Sequence, residues 1–221
     1  MVSILPLSYT EPICILFGNG DYPDQKLCNQ LLQAANFIMC ADGGANYAFR
    51  HGITPDLIIG DLDSIKDEAL NYFIQKNTRI IKTESQQEND VEKALHEAIR
   101  LSYKQIVLIG FMGKRDDHSV ATLQIIKKFK RKATIRLFSQ TSEILVLSAG
   151  SYGFQVSSGN IISLFGFPRA YNVTTNGLKW TLNHENLFEG SRGISNQALK
   201  DNVRISFTKG TLIVIKPLSS S

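Results

Sequence analysis

The segment ADGGANYAFRHGITPDLIIGDLDS, residues Ala41 to Ser64, places three aspartates at the ends of short apolar runs. Asp42 follows the run FIMC after one alanine, and Asp61 and Asp63 follow DLIIG. Short aliphatic and β-branched runs closed by Gly and Asp are typical of buried strands that end at a turn. Because α/β sheets bind ligands at the carboxyl ends of their strands, the segment predicts an α/β fold with an acidic site at one sheet edge.

The spacing of the last two aspartates indicates a cation site. If the strand stays extended, the side chains of Asp61 and Asp63 leave the same face, roughly 6.6 Å apart along the chain. Two such carboxylates repel each other unless a cation lies between them, and Mg²⁺ is a hard ion that prefers oxygen ligands. Gly43 and Gly44 add a turn without side chains, where backbone can approach a phosphate closely.

A purely structural role is the alternative for each aspartate. Asp is a frequent turn former and helix cap, and Ser64 is a candidate N-cap for the helix DEALNYFIQKN, with Asp67 and Glu68 in its first turn. For any one aspartate alone this interpretation is favoured. Three aspartates together with two glycines favour the cation site.

The bulk composition excludes several classes of protein. The chain has 221 residues, of which 43% are hydrophobic, so it can bury a sizeable core. No run approaches the ~18 consecutive apolar residues of a membrane span, and the N-terminus predicts no signal peptide. Cys14, Cys28 and Cys40 are odd in number and lack a CxxC spacing, which argues against disulfides and zinc. We therefore expect a cytoplasmic protein without membrane association.

The net charge of +4 has a local origin. Of the 24 basic residues, five lie in the run KKFKRK, Lys127 to Lys132. The other 19 are balanced in number by the 20 acidic residues. A basic run at the end of an amphipathic helix is typical of a solvated last turn that complements the helix dipole. We expect no nucleic-acid partner; such binding would rest on this run alone.

The pattern of elements changes near residue 138. Up to Phe138, apolar runs alternate with helical segments, which predicts a doubly wound, mostly parallel sheet. Beyond it, short strands punctuated by Gly, Asn and Ser predict an antiparallel β-sandwich, with LKWTL as one strand and a tight hairpin at Lys209 and Gly210. The predicted domains are 1–138, an α/β domain, and 139–221, a β-sandwich.

Two further stretches carry candidate site residues. In QQENDVEKALHEAIRLSY, Asn89 or Asp90 is placed to cap a helix, and the helix N-terminus points to the same sheet edge as Asp61 and Asp63. In FMGKRDDHSV, Arg115, Asp117 and His118 follow a strand, which suits the binding of a phosphate chain and a nucleotide. Capping of the helix by the acids of this segment remains an equal alternative.

The chain resembles thiamine pyrophosphokinase. The resemblance rests on six motifs in the family's order, spanning roughly residues 13–215: DGGAN, PDLIIGDLDS, QQENDVEKAL, GKRDDH, GLKW and GISN. It implies an α/β domain that carries a Mg·ATP site, a β-sandwich that binds thiamine, and a homodimer whose sites lie between the α/β domain of one subunit and the β domain of the other. The implied reaction transfers the diphosphoryl group of ATP to the hydroxyl of thiamine, giving thiamine diphosphate and AMP.

The resemblance also assigns roles to individual residues. It implies an acidic cluster around metal and phosphates, with Asp61, Asp63 and Asp90 as the metal ligands; a nucleotide-binding group; and a thiamine-binding group. The cluster is Asp42, Asp61, Asp63 and Asp90, the nucleotide group is Gln86, Arg115, Asp117 and His118, and the thiamine group is Ser195, Asn196 and Trp180. Trp180 has the alternative role of a core aromatic.

Two departures and one competing activity qualify this prediction. The family often has a glycine where this chain has Lys114 and an asparagine where it has Thr122, and both positions bear on nucleotide preference. A DxD pair such as Asp61 and Asp63 also suits a metal-dependent transferase that uses a sugar nucleotide, which is the alternative function.

Overall fold

The structure is a computed structural model that describes residues 2–4, 11–83 and 88–218. Its helices and strands are numbered separately in chain order. They are β1 (Val2–Ile4), β2 (Ile13–Phe17), α1 (Gln25–Gln33), β3 (Phe37–Ala41), α2 (Gly44–Arg50), β4 (Leu57–Gly60), α3 (Asp67–Gln75), β5 (Arg79–Lys82), α4 (Asp90–Arg100), β6 (Gln105–Ile109), α5 (Asp116–Phe129), β7 (Thr134–Phe138), β8 (Ser142–Gln155), β9 (Ile161–Asn176), β10 (Glu185–Leu187), β11 (Gly193–Gln197) and β12 (Asn202–Pro217).

The chain divides into two compact units, with the division between Gln140 and Thr141. Strand β1 belongs with the second unit, because it pairs in parallel with β8 from Val2↔Tyr152 to Ile4↔Phe154. The predicted α/β domain, residues 1–138, included these first residues. A three-residue segment carries too little pattern for the sequence to indicate its partner strand.

The first unit is a parallel sheet with strand order β7-β6-β2-β3-β4-β5. The chain starts in the centre at β2, moves outward through β3, β4 and β5, and then returns to the other side of β2 with β6. The order of connection therefore reverses between β2 and β6, which is where open α/β sheets form a ligand crevice at the strands' carboxyl ends. Strand β2 is the buried centre, with every residue at most 1% exposed.

The predicted helices form, and the structure decides between the alternative caps. Asn89 caps α4 by accepting the backbone N–H of Glu92 at 3.1 Å, so Asp90 does not serve as the N-cap. Ser64 does not cap α3, whose N-cap is Lys66 without a side-chain bond. Asp116 and Asp117 lie in the first turn of α5, after the N-cap Arg115.

The second unit is built mainly from three long antiparallel strands, β8, β9 and β12, around an apolar core. Strand β12 pairs with both β8 and β9, and β9 also pairs with β10 and β11. The fold class predicted from the sequence, a parallel α/β sheet followed by antiparallel β structure, is confirmed.

Two local predictions in this unit are wrong. Lys209 and Gly210 do not form a hairpin, because β12 continues through them and pairs Gly210 with Ala170 at a register shift. The segment LKWTL is not a strand; it contributes one isolated bridge, between Leu178 and Ala198. At Lys209 and Gly210, a register shift within a longer pairing gives a local pattern that resembles that of a turn.

Candidate active site

Three carboxylates meet at the carboxyl ends of β3 and β4. One carboxylate oxygen each from Asp42, Asp61 and Asp63 lies within 4.8 Å of the others. Asp42 follows β3, and the other two follow β4, which is its neighbour in the sheet. Parallel pairing of the two strands therefore brings side chains from separate segments to one point.

A turn, and not an extended strand, brings Asp61 and Asp63 together. Strand β4 ends at Gly60, and Leu62 adopts a left-handed backbone conformation with φ +69°. The carboxylate of Asp61 accepts the backbone N–H of Asp63 at 3.2 Å, which closes the turn. The prediction that Asp61 and Asp63 lie on one face of an extended strand is thus wrong, because the strand ends before them. Both carboxylates nevertheless join the same cluster.

Asn46 of α2 fixes this turn from the side. Its Nδ2 donates to the carbonyl oxygen of Ser64 at 2.7 Å, and its Oδ1 accepts the N–H of Lys66 at 2.9 Å. Ser64 in turn donates its hydroxyl to Asp63 Oδ1 at 2.9 Å. The sequence analysis did not single out Asn46, although its position two residues after the glycine pair was visible.

Asp42 is the buried member of the cluster. Its residue is 4% exposed, and among the residues that the structure describes its Oδ1 is one of three buried side-chain atoms without a hydrogen-bond partner. Burial raises the pKa of Asp42, and the charges of Asp90 and Asp61 add to this, while hydrogen bonding from the Ser64 hydroxyl and the Gly43 N–H lowers the pKa in part. A buried carboxylate oxygen without a donor is the group that a cation would satisfy.

Asp90 approaches the same cluster from the first turn of α4. Burial raises its pKa, as do the charges of Asp61 and Asp63, while Lys93 one turn further along lowers it. Lys93 is 7% exposed, and its ammonium lies 3.4 Å from Asp90 Oδ1. The sequence analysis missed Lys93, whose i,i+3 spacing from Asp90 was the available signal.

Two glycine-containing loops form the wall beside the carboxylates. The loop Gly18–Gly20 follows β2, and Gly110–Gly113 follows β6, on the two sides of the point where the sheet order reverses. They are joined by backbone hydrogen bonds, such as Asp21 N–H to the Met112 carbonyl at 2.7 Å. A cavity of about 330 Å³ lies between these loops, Asp42 and Asp90.

The cavity is lined by two of the four predicted nucleotide residues. Arg115 and His118 line it. Arg115 binds Asp117 in a two-pronged ion pair, with Nε to Oδ1 at 3.1 Å and Nη2 to Oδ2 at 2.6 Å. This pair lowers the pKa of Asp117 and raises that of Arg115. Gln86, the fourth predicted nucleotide residue, lies outside the described residues.

Both departures from the family pattern have structural contacts here. Lys114 adopts φ +54° and donates its ammonium to the Asn19 carbonyl at 2.8 Å, which connects the two glycine loops. The hydroxyl of Thr122 donates to the carbonyl of His118 at 2.8 Å and lies in the cavity wall. Each residue therefore shapes the wall of the pocket.

The predicted thiamine residues lie in the second unit. Trp180 is 53% exposed, which contradicts the alternative of a core aromatic. Ser195 is exposed and has a left-handed φ of +52°. Asn196 is only 3% exposed, and its side chain contacts the backbone of Trp180.

The chemistry of the cluster suits a divalent cation. Its donors are carboxylate oxygens, which hard cations such as Mg²⁺ prefer, and one of them is buried without a donor. A second group, formed by Glu92 and His96 of α4 and by Glu88 just before that helix, also places three ligand atoms within 4.8 Å. There Glu92 is already ion-paired with Lys128, one of the residues of the basic run.

The fold and this site define the class of protein: an α/β protein with an acidic cluster at the carboxyl edge of its parallel sheet, followed by an antiparallel β unit. The family model for "Thiamin pyrophosphokinase, catalytic domain" matches residues 28–138, and that for the "vitamin B1 binding domain" matches residues 153–212. The chain belongs to the thiamine pyrophosphokinase family, whose members are thiamine diphosphokinases. The resemblance drawn from the six motifs is confirmed, and the sugar-nucleotide alternative is not supported.

Individual relatives agree with this assignment. Thiamine pyrophosphokinase 2 of Arabidopsis thaliana is 27% identical over 204 residues, covering 79% of this chain and 76% of the relative. The enzyme of Bacillus subtilis (strain 168) is 28% identical over 170 residues, covering 75% and 79%. Among solved structures, thiamine pyrophosphokinase from Bacillus subtilis has a TM-score of 0.83 at 23% identity, covering 95% of this chain and 100% of that chain. The Candida albicans structure has a TM-score of 0.85 at 19% identity, covering 98% and 93%.

Proposed function

We propose that this protein transfers the diphosphoryl group of ATP to the hydroxyl of thiamine. The hydroxyl oxygen attacks the β-phosphorus, the bond from that phosphorus to the oxygen of AMP breaks, and thiamine diphosphate and AMP are released. The hydroxyl proton passes to a carboxylate of the cluster. The observation that carries the proposal is the meeting of Asp42, Asp61 and Asp63 beside two glycine loops, in a chain that matches both family models.

Mg²⁺ is the proposed metal, with Asp61, Asp63 and Asp90 as the ligands that the family resemblance implies. We add Asp42 as a fourth ligand, because its buried Oδ1 lacks a donor and a carboxylate oxygen of Asp42 lies within 4.8 Å of those of Asp61 and Asp63. When bound, the cation supplies neutralising charge for the phosphates. The residues themselves position the phosphates, and positioning together with electrostatic stabilisation supplies most of the catalysis of phosphoryl transfer.

The glycine loops and the Arg115 region are proposed to bind ATP. These loops lie at the carboxyl ends of strands where the sheet order reverses, which is where open α/β sheets bind ligands, and an arginine fork matches phosphate geometry. Arg115 and His118 line the same cavity as these loops. The part of Gln86 in nucleotide binding stays a prediction.

We propose a homodimer in which the α/β unit of one subunit and the β unit of the other share a site. Support comes from apolar side chains that the β unit leaves exposed, namely Trp180, Phe188, Ile194 and Leu199, each 42–56% exposed. Trp180 and Ser195 would then bind thiamine across the subunit boundary.

Mixing two variants of low activity tests the shared site. Asp63→Asn disables the α/β half, and Trp180→Ala weakens thiamine binding by the β half, so each variant alone gives little product at a thiamine concentration far below the raised KM of Trp180→Ala. If subunits exchange freely, half of the dimers are mixed and each of these has one intact site of two, so about a quarter of wild-type activity should return. Ultracentrifugation of the wild type gives the oligomeric state directly, and a dimer without complementation would rule out the shared arrangement.

Product analysis tests the reaction itself. Purified protein with ATP, Mg²⁺ and thiamine should yield AMP and thiamine diphosphate in equal amounts. Formation of ADP and thiamine monophosphate instead would contradict diphosphoryl transfer. Replacing ATP by a sugar nucleotide as the donor should give no product.

The compartment is proposed to be the reducing cytosol. All three cysteines are free and buried, so the fold as described uses none of them for a disulfide. Within residues 2–4, 11–83 and 88–218, no helix is both long and apolar enough to cross a membrane.

A further inference from the structure

Trp180 and Asn196 lie opposite each other at the end of a short antiparallel pairing in the second unit. The pairing begins with the hydrogen bond from Leu199 N–H to the Gly177 carbonyl at 2.8 Å, and it continues through the bridge between Leu178 and Ala198. The N–H of Lys179 then donates to the Gln197 carbonyl at 2.8 Å. The same antiparallel register places Trp180 across from Asn196.

The side chain of Asn196 makes the last link of this pairing. Its Oδ1 accepts the N–H of Trp180 at 3.0 Å, and its Nδ2 donates to the carbonyl of Trp180 at 2.6 Å. The side-chain amide thus binds both backbone groups of Trp180, as a peptide group of a neighbouring strand would. Oδ1 also accepts the N–H of Gln197 at 2.9 Å, so both acceptor positions of this oxygen are filled.

Burial and exposure separate the roles of the two residues. Asn196 is 3% exposed, whereas Trp180 is 53% exposed although its backbone is fixed. The ammonium of Lys179 lies 4.9 Å from the centroid of the Trp180 ring and covers one face of it. An aromatic side chain held out from the core on a fixed backbone is suited to stacking on a planar ligand.

We infer that Asn196 is a positioning residue that acts through Trp180 and does not itself contact the substrate. The family resemblance had implied a residue that faces thiamine, but the Asn196 side chain is buried, and backbone groups occupy both acceptor positions of its oxygen and one hydrogen of its Nδ2. The inference rests on the proposed function, with the heteroaromatic alcohol as the ligand of Trp180. Under this inference, polar groups near Trp180 other than Asn196 make the direct contacts with the substrate.

The chain has one tryptophan, so its fluorescence reports on this position alone. Asn196→Ala should increase the collisional quenching of ligand-free protein by acrylamide, because the Trp180 backbone loses its anchor. It should also raise the KM for thiamine about tenfold while leaving the KM for ATP within about twofold. Asn196→Asp keeps the shape of the side chain but places a carboxylate oxygen against the Trp180 carbonyl. It should therefore also increase quenching and raise the KM for thiamine. This variant replaces Asn196→Ala if the alanine variant fails to fold.

A double substitution distinguishes positioning from direct contact. If Asn196 acts through Trp180, then Asn196→Ala combined with Trp180→Ala should have the same KM for thiamine as Trp180→Ala alone. Effects that multiply, or unchanged quenching in ligand-free Asn196→Ala, would overturn the inference. Asn160→Ala is the matched control, because the Asn160 oxygen accepts the N–H of Ser157 at 3.0 Å in the same unit.

The two proposals fail in different ways. Absence of thiamine-dependent AMP formation by the wild type would remove the proposed function. The quenching comparison uses no ligand, so it still decides whether Asn196 holds Trp180. Normal activity with unchanged quenching would instead remove the role of Asn196 alone.

Discussion

Asn46 donates its side-chain amide to the carbonyl oxygen of Ser64 at 2.7 Å and thereby ties helix α2 to the turn that carries Asp61 and Asp63. The other end of the same amide accepts the N–H of Lys66 at 2.9 Å. Because α2 begins directly after Asp42 and Gly43, this one side chain fixes the segment after β3 relative to the segment after β4. The spacing of the carboxylates therefore depends on a neutral residue.

Replacing Asn46 by alanine tests this dependence. Asn46→Ala removes both hydrogen bonds, so the turn should loosen and the Mg²⁺ concentration for half-maximal rate should rise about tenfold, with a stability loss of roughly 1–2 kcal/mol. Initial rates across a Mg²⁺ series and urea unfolding give the two numbers. Asn29→Ala, which removes an exposed side-chain contact with Gln25 on α1, is the control. An unchanged Mg²⁺ dependence in Asn46→Ala would show that the turn holds its shape alone.

The buried carboxylate of Asp42 should lower the stability of the metal-free protein at neutral pH, although activity requires this residue. Burial raises its pKa above the ordinary value of 3.8, so the folded state binds the proton more tightly than the unfolded state does. The associated stability is fully present below pH 3.8 and is lost as the pH rises through the folded-state pKa. Metal-free Asp42→Asn should therefore be more stable than the wild type at pH 7 by roughly 1–2 kcal/mol, and inactive.

Urea unfolding in EDTA at pH 3.5 to 7.5 measures this difference. The increase in the free energy of unfolding caused by Asp42→Asn should become smaller as the pH falls, because wild-type Asp42 becomes neutral. Asp67→Asn is the comparison, since it removes a charge from the first turn of α3 and should lower stability by at most about 1 kcal/mol. If Asp42→Asn is less stable than the wild type at pH 7, the carboxylate has a partner that favours its charge.

Local sequence patterns were sufficient for the parallel sheet. The runs ending at Ala41 and Gly60 became β3 and β4 because apolar strands in this sheet are buried on both faces. Parallel pairing then brings the residues after each strand to one edge, so convergence of Asp42 with Asp61 and Asp63 follows from strand ends alone. Asn89 as the cap of α4 was likewise a local property.

Features that depend on contacts distant in sequence were not predictable in this way. The left-handed Leu62 and the bond from Asn46 to Ser64 arise only once α2 packs beside the turn. In the second unit, strand β12 continues through Gly210 because it pairs with both β8 and β9. The local sequence around Gly210 does not indicate either of these partner strands. The sequence therefore indicated the irregularity at Gly210 but not that β12 continues beyond it.

Lys93 is expected to balance the carboxylate cluster when no metal is bound. Its ammonium is buried and lies 3.4 Å from Asp90 Oδ1, so Lys93→Met leaves Asp90 among acids without its cation. Metal-free Lys93→Met should lose about 1–3 kcal/mol of stability, and saturating Mg²⁺ should recover more of its stability than in the wild type. Thermal unfolding with EDTA and with Mg²⁺ measures both effects. Lys66→Met, at the exposed start of α3, controls for loss of a surface lysine, and equal Mg²⁺ responses in all three proteins would contradict the charge-balancing role.

The ion pair between Arg115 and Asp117 should matter for ATP and not for stability. Both side chains are more than 60% exposed, and exposed pairs contribute little to folding. Asp117→Asn releases the guanidinium from a fixed position beside the cavity, so the KM for ATP should rise about threefold to tenfold while the melting temperature stays within about 2 °C. Asp116→Asn changes the neighbouring acid of the same helical turn and should leave the KM for ATP unaltered. A fall in melting temperature with an unchanged KM would mean that the pair anchors the start of α5, and that Arg115 reaches the nucleotide without help from Asp117.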